Sequence, residues 1–252
     1  MDFLKAVLMP FIYMIVGILV ASVAAAVSPQ AYGTHPMMWT FIAALLTIPF
    51  CVWQMKKEGH FESERPEKAG FKDWILLGVL ASTACIALNY WIELSGLMEI
   101  FTGFDEVSEK LYGGSLLEEI LAIVIAAPLV EELMFRGLVY RGWKKLLGGR
   151  IALLLAALFF GVYHRNVVQG LYAFLLGLLL IYVYELFETI LAPILFHMAA
   201  NAVSVYMTEC LDMHWVKRDV GTELGFTMIF TLLGFGAWLL LRYSKRLRRM
   251  QN

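Results

Sequence analysis

The chain has 252 residues, 60% of them hydrophobic and 16% charged, with a formal net charge of -1 and a mean hydropathy of +0.71. A water-facing surface needs charged residues at about a quarter of all positions, so this composition excludes a soluble globular domain. The apolar residues fall in long blocks of bilayer-crossing length, which predicts an all-α polytopic membrane protein folded as a single integral membrane domain, residues 1–252.

Eight apolar segments are predicted to span the membrane, at about 8–27, 38–55, 74–94, 115–135, 151–164, 167–186, 188–207 and 222–241. The fifth, with 14 residues, is short for a span of about 20 and calls for tilt or for extension through Arg150. The first combines Lys5, an apolar run and Ala24-Ala25-Ala26, the layout of a signal peptide as well as of a span. Its removal would leave seven spans in the same orientation. Pro10, Pro49, Pro128 and Pro193 lie inside apolar segments, where neighbouring membrane helices tolerate them. The stretch from Lys56 to Asp73 reads as a loop, and the acidic stretch from Asp105 to Glu109 as a solvated outer loop. Cys51, Cys85 and Cys210 are scattered and suggest neither a disulfide framework nor a zinc finger.

Lysine and arginine set the orientation. With the N-terminus in the cytoplasm, 16 of the 20 basic residues fall in cytoplasmic segments. Lys110, Arg165, Lys217 and Arg218 are the four on the other side. The positive-inside rule therefore places both termini in the cytoplasm, and the compact length with minimal loops leans toward a bacterial plasma membrane.

Ionisable groups at membrane depth are costly, so they mark functional sites by default. They occur in three places: Glu131-Glu132 with Arg136, His164, and His197. Residues four apart share a helix face, which makes Glu132 and Arg136 an internal ion pair and leaves Glu131 free. Phe160 with His164, and His197 with Asn201, are spaced the same way. At 1.5 Å per residue, Glu131 lies roughly 15 Å from Arg141, His197 roughly 14 Å from Glu188, and His164 roughly 21 Å from Arg150. Three segments can thus bring a carboxylate and two imidazoles to one buried point. A carboxylate and an imidazole sharing a water form a general-base pair, and the second histidine with an asparagine amide can stabilise an oxyanion. The same Glu131, His164 and His197 also match a catalytic zinc site with an open position, although no HExxH motif is present.

The three motifs, Glu131-Glu132-Leu-Met-Phe-Arg136, Phe160-Gly-Val-Tyr-His164 and His197-Met-Ala-Ala-Asn201, resemble the signature of the CPBP family. That family comprises type II CAAX prenyl endopeptidases and the Abi-type bacteriocin-processing or self-immunity proteins. The resemblance covers a signature core of about residues 115–205. It implies an eight-helix intramembrane protease whose catalytic cavity opens toward the cytoplasm. Glu131 and His164 would activate a water, His197 and Asn201 would form the oxyanion site, and Glu132, Arg136 and Phe160 would support them. The family has been described both as metalloproteases and as glutamate proteases. The glutamate type is expected here, without a cofactor, with Zn2+ as the alternative.

The expected partners are membrane lipid and a protein or peptide substrate, either a prenylated C-terminus or a secreted peptide precursor. Nothing points to nucleic acid. The competing classes are a non-proteolytic scaffold or self-immunity protein of the same fold, and a transporter, which would require an internal repeat that the sequence lacks. No serine in the apolar segments has lysine or histidine at helical spacing, so rhomboid-type chemistry has no support. His35, His60 and His214 receive no chemical role, and the aromatic sixth segment, with Tyr172 and Phe174, reads as packing.

Overall fold

The computed structural model describes residues 3–62, 64, 69–101, 103–211 and 219–251. His214, Lys217 and Arg218 lie outside the described residues. Among the described residues there is no strand; every regular element is a helix. The first is α1, Phe3–Val27, followed by the short α2, Pro29–Thr34, then α3, Pro36–Lys57, and α4, Phe71–Leu94. Two short elements follow, α5, Leu97–Ile100, and α6, Gly103–Leu111.

A continuous helical run then extends from 116 to 147. It consists of α7, Leu116–Glu119, a π-helical stretch Ile120–Ala126, α8, Ala127–Glu132, a second π-helical stretch Leu133–Tyr140, and α9, Arg141–Leu147. Gly148, at φ 79°, breaks the run. Beyond it lie α10, Gly149–Tyr163, α11, Val167–Phe187, α12, Leu191–Val205 with a π-helical end to Cys210, and α13, Val220–Gln251.

Among the described residues six helices are long and apolar enough to cross a membrane: Phe3–Val27, Pro36–Lys57, Phe71–Leu94, Val167–Phe187, Leu191–Cys210 and Val220–Arg246. The remaining two of the eight expected segments are helical but carry the count no further. α10 has 15 residues, and the run 116–147 alternates α- and π-helical turns. Leu8, Ile15, Leu19 and Val23 on α1, and Ile229, Leu232, Phe235 and Leu240 on α13, point away from the bundle. Exposed apolar faces of this extent suit contact with lipid. With the six candidate spans, they make this an integral membrane protein.

The run 116–147 is the axis of the bundle, packed by α1, α3, α10 and α12. Every residue from Leu133 to Tyr140 is buried. α13 closes against α4, and α10 packs antiparallel to α11. The two ends of the bundle are fixed by cross-contacts. At one end Phe3 stacks on Trp143 at 4.9 Å, the Ser244 hydroxyl donates to Asp73 Oδ1 at 2.7 Å, and Lys245 lies 4.3 Å over the Phe187 ring. At the other, His35 Nδ1 meets Glu118 Oε1 at 2.6 Å, and the hydroxyls of Tyr112 and Ser204 lie 2.9 Å apart. The stretch 105–109, expected as a loop, belongs to α6. Its exposed Glu106 and Glu109 keep it solvated, while Phe104 and Leu111 turn inward to line a cavity.

Close helix approach depends on glycine where α10 meets α11. A Cβ at Gly161 would lie 2.6 Å from Gly170 O, and one at Gly170 would lie 2.9 Å from Gly161 O. Because both obstacles are backbone, the helices themselves would have to part. Gly161→Ala should therefore lower stability by about 1–3 kcal/mol, read as a lower unfolding midpoint in detergent. Gly17→Ala, with nothing within 4 Å of the new Cβ, should leave the midpoint unchanged or raise it.

Candidate active site

Pro128 shapes the first part of the site. In the π-helical stretch before it, Ala127 N–H donates to Ala122 O, five residues back. The next donor in that pattern would serve Ile123 O, but it belongs to Pro128, which has no N–H. Ile123 O is thus freed, and Asn201 Nδ2 donates to it at 2.8 Å. That bond fixes the amide with nitrogen toward the carbonyl and leaves a second N–H on the same nitrogen. π-bulges recur at functional sites for this kind of reason.

The two adjacent glutamates separate as helical spacing requires. Glu132 has no exposed side-chain surface, and its Oε1 receives both Arg136 Nη1 at 2.8 Å and His197 Nδ1 at 2.9 Å. Its Oε2 has no hydrogen-bond partner among the described residues. Arg136, placed with the cytoplasmic loop charges on sequence, is instead buried, 1% exposed. The basic residues of that side therefore number 15 rather than 16, which leaves the asymmetry intact. Arg136 Nη2 reaches Gly177 O at 3.4 Å, and the guanidinium lies 4.4 Å over the Phe160 ring, a distance at which cation–π attraction operates.

Glu131 faces elsewhere. Its side chain retains 13% exposure, and Oε2 lies 4.0 Å from His197 Nε2. Since Glu132 can only accept, His197 Nδ1 carries a proton, and Nε2 is left toward Glu131. His164 is held comparably: it caps the C-terminus of α10, and Nδ1 donates to Phe160 O at 2.8 Å. Phe160 stands edge-on to both imidazoles, with ring centroids 4.8 Å from His164 and 6.0 Å from His197. Each histidine thus has one nitrogen engaged by the protein and the other free for solvent or substrate.

Glu131, His164, His197 and Asn201 all line one cavity of about 330 Å³, with Phe160 in its wall. Glu132 and Arg136 lie behind that wall. Sequence reasoning missed the rest of the lining, including Tyr13, Asn89, Tyr112, Gln169, Tyr172 and Ser204. Tyr172 reads as packing on sequence; Tyr13, Asn89 and Gln169 sit on segments with no motif, Tyr112 lies between segments, and Ser204 shares α12 with His197 and Asn201 but is not part of their motif.

A catalytic zinc site needs three protein ligands converging on one point. Among the described residues no three His, Cys, Asp or Glu side chains do so. The donor set as placed does not fit a metal ion.

Residues 114–203 match the family described as "Rce1-like: Type II CAAX prenyl endopeptidase Rce1-like", a stretch containing all three motifs. No curated protein and no solved structure matches the chain.

The shared carboxylate makes a stability prediction. Removing one partner of a buried pair leaves an uncompensated charge and costs about 3–5 kcal/mol. Arg136→Met should lower the unfolding midpoint strongly, and adding Glu132→Gln to it should recover part of the loss. Equal losses in the single and double variants would show that the pair is not coupled.

Proposed function

We propose that the chain is an intramembrane endopeptidase, the activity that its match to the type II CAAX prenyl endopeptidase family suggests, and that it attacks the peptide bond directly with water. The observation that supports this reading most is the convergence of four side chains, from the run 116–147, α10 and α12, on one cavity. A non-proteolytic scaffold of the same fold needs no such convergence.

Glu131 is the general base, sharing the water with His164, whose free nitrogen faces the same cavity. As water oxygen bonds to the carbonyl carbon, its proton passes to Glu131 and the carbonyl oxygen becomes an oxyanion. The second N–H of Asn201 donates to that oxyanion, and His197 does so through Nε2 in its protonated form. Glu131 then gives its proton to the departing nitrogen as the C–N bond breaks. The products are a carboxylic acid and an amine, which exchange a proton to leave as carboxylate and ammonium, and Glu131 returns to the carboxylate. No covalent enzyme intermediate and no metal ion is needed. Glu132 positions His197, and Arg136 with Phe160 holds Glu132. The substrate is a protein or peptide segment held at the membrane.

Two measurements test these roles on purified protein with a fluorogenic peptide. Glu131→Gln and His164→Ala should each lower kcat by about 10²–10⁴, and Asn201→Ala by about 10²–10³, with unfolding midpoints close to that of the unmodified protein. Retained cleavage in folded Glu131→Gln protein would remove the hydrolase reading. Cleavage should also survive prolonged dialysis against a chelator; loss of activity that Zn2+ restores would replace the glutamate mechanism with a metal one.

A further inference from the structure

The two ends of the bundle differ in charge. One end carries the start of α1 and the end of α13, with the exposed Lys57, Lys72, Lys145, Arg150, Arg242 and Arg246 outnumbering the exposed Glu62, Glu185 and Glu188. At the other, Glu99, Glu106, Glu109, Glu209 and Asp219 are exposed, and Arg165 is the one basic residue among the described side chains; Lys110, Lys217 and Arg218, assigned to this side by sequence, leave it the poorer in basic residues. The positive-inside rule assigns the first end to the cytoplasm.

The cavity of about 330 Å³ runs from Glu131 toward the acidic end. Its lining includes Met37 at the start of α3, Met98 on α5, Phe104 on α6, Gln169 at the start of α11 and Ser204 near the end of α12. All of these sit at the end where Tyr112 meets Ser204. In the other direction the lining on the run 116–147 ends at Glu131, and the residues beyond it, Leu133 to Tyr140, are buried. A separate cavity at the basic end, lined by Glu64, Arg141, Lys144, Lys145, Glu185 and Glu188 among others, contains none of the motif side chains.

A cytoplasmic pair of termini and a cavity opening to the cytoplasm are therefore incompatible in this chain. We infer that the cavity opens on the extracytoplasmic face, and that its substrate is the extracytoplasmic segment of an exported, membrane-anchored peptide, with basic residues next to the scissile bond. This rests on the endopeptidase reading above for the cleavage itself, while the direction of the opening stands on geometry and charge alone. Glu99 adjoins the lining residue Met98, and Glu106 and Glu109 share α6 with the lining residues Phe104 and Leu111; acidic residues so placed raise the local concentration of cationic chains and speed their capture, an effect that salt weakens. A prenylated cytosolic C-terminus would meet the wrong face.

The test has two arms. In a Cys210→Ser background, Met98→Cys, Phe104→Cys, Lys57→Cys and Lys145→Cys are labelled with a membrane-impermeant maleimide in sealed right-side-out bacterial vesicles. The first two should react in intact vesicles and the last two only after permeabilisation. The reverse pattern overturns the inference. In the second arm, two model substrates carry one transmembrane helix followed by the same Lys- and Arg-bearing segment, outside in one and in the cytoplasm in the other. Cleavage of the external segment alone is expected, with KM rising severalfold in Glu106→Lys/Glu109→Lys protein or at high salt while kcat holds. Cleavage of the cytoplasmic segment overturns the inference. External labelling with neither substrate cut, across segments of varied sequence, would instead overturn the endopeptidase reading and the substrate class, leaving the direction of opening in place.

Discussion

One oxygen atom, Glu132 Oε1, ties the structure together. It accepts from Arg136 on its own helical run and from His197 on α12, at 2.8 and 2.9 Å. Through Arg136 it reaches the backbone of α11 at Gly177 and the ring of Phe160 on α10. Four segments are thereby held to a single carboxylate with no exposed surface. In a dry interior such a charge persists only when it is paired and hydrogen-bonded, so the cluster forms as a unit. That requirement sets the orientation of the His197 imidazole, and with it the direction in which Nε2 faces Glu131.

Backbone irregularity is put to related use. Pro128 removes a donor from a π-helical stretch, and the carbonyl it leaves, Ile123 O, anchors the Asn201 amide. In hydrocarbon an unpaired carbonyl costs several kcal/mol, so the gap in the helix requires a side chain from elsewhere to fill it. α12 supplies that side chain one helical turn beyond His197. The residues at the cavity are therefore fixed from behind by bonds the bundle itself demands, and their remaining donors and acceptors point into the cavity. Such preorganisation is what makes dipoles effective at a developing charge.

Much of this was legible in the sequence because it is local. Apolar block length marks the helices, and the four-residue spacing marks the Glu132–Arg136 pair, which the structure contains. The motifs pick out Glu131, His164, His197 and Asn201, which one cavity brings together. Pairings across long stretches of chain were not legible. His197 with Glu132, 65 residues apart, and Asn201 with Ile123, 78 apart, depend on how helices pack, which no local period encodes. Arg136 was misplaced because a charge four residues past a glutamate and five before Arg141 reads equally as buried partner or as interface. The expected direction of the cavity came from resemblance alone, not from any local feature of the chain. The count of eight spans is not confirmed: among the described residues six helices meet the length and apolarity of a span, and the other two segments are a 15-residue helix and a continuous run of alternating α- and π-helical turns.

The division of labour between two neighbouring glutamates is the centre of this account, and a paired comparison of Glu131→Gln with Glu132→Gln reads it directly. Unfolding midpoint and single-turnover cleavage rate are measured for both variants in the same detergent. The account predicts that Glu131→Gln keeps the midpoint and loses the rate, whereas Glu132→Gln loses both. A Glu132→Gln protein with an unchanged midpoint, or a Glu131→Gln protein destabilised as strongly as Glu132→Gln, would contradict it.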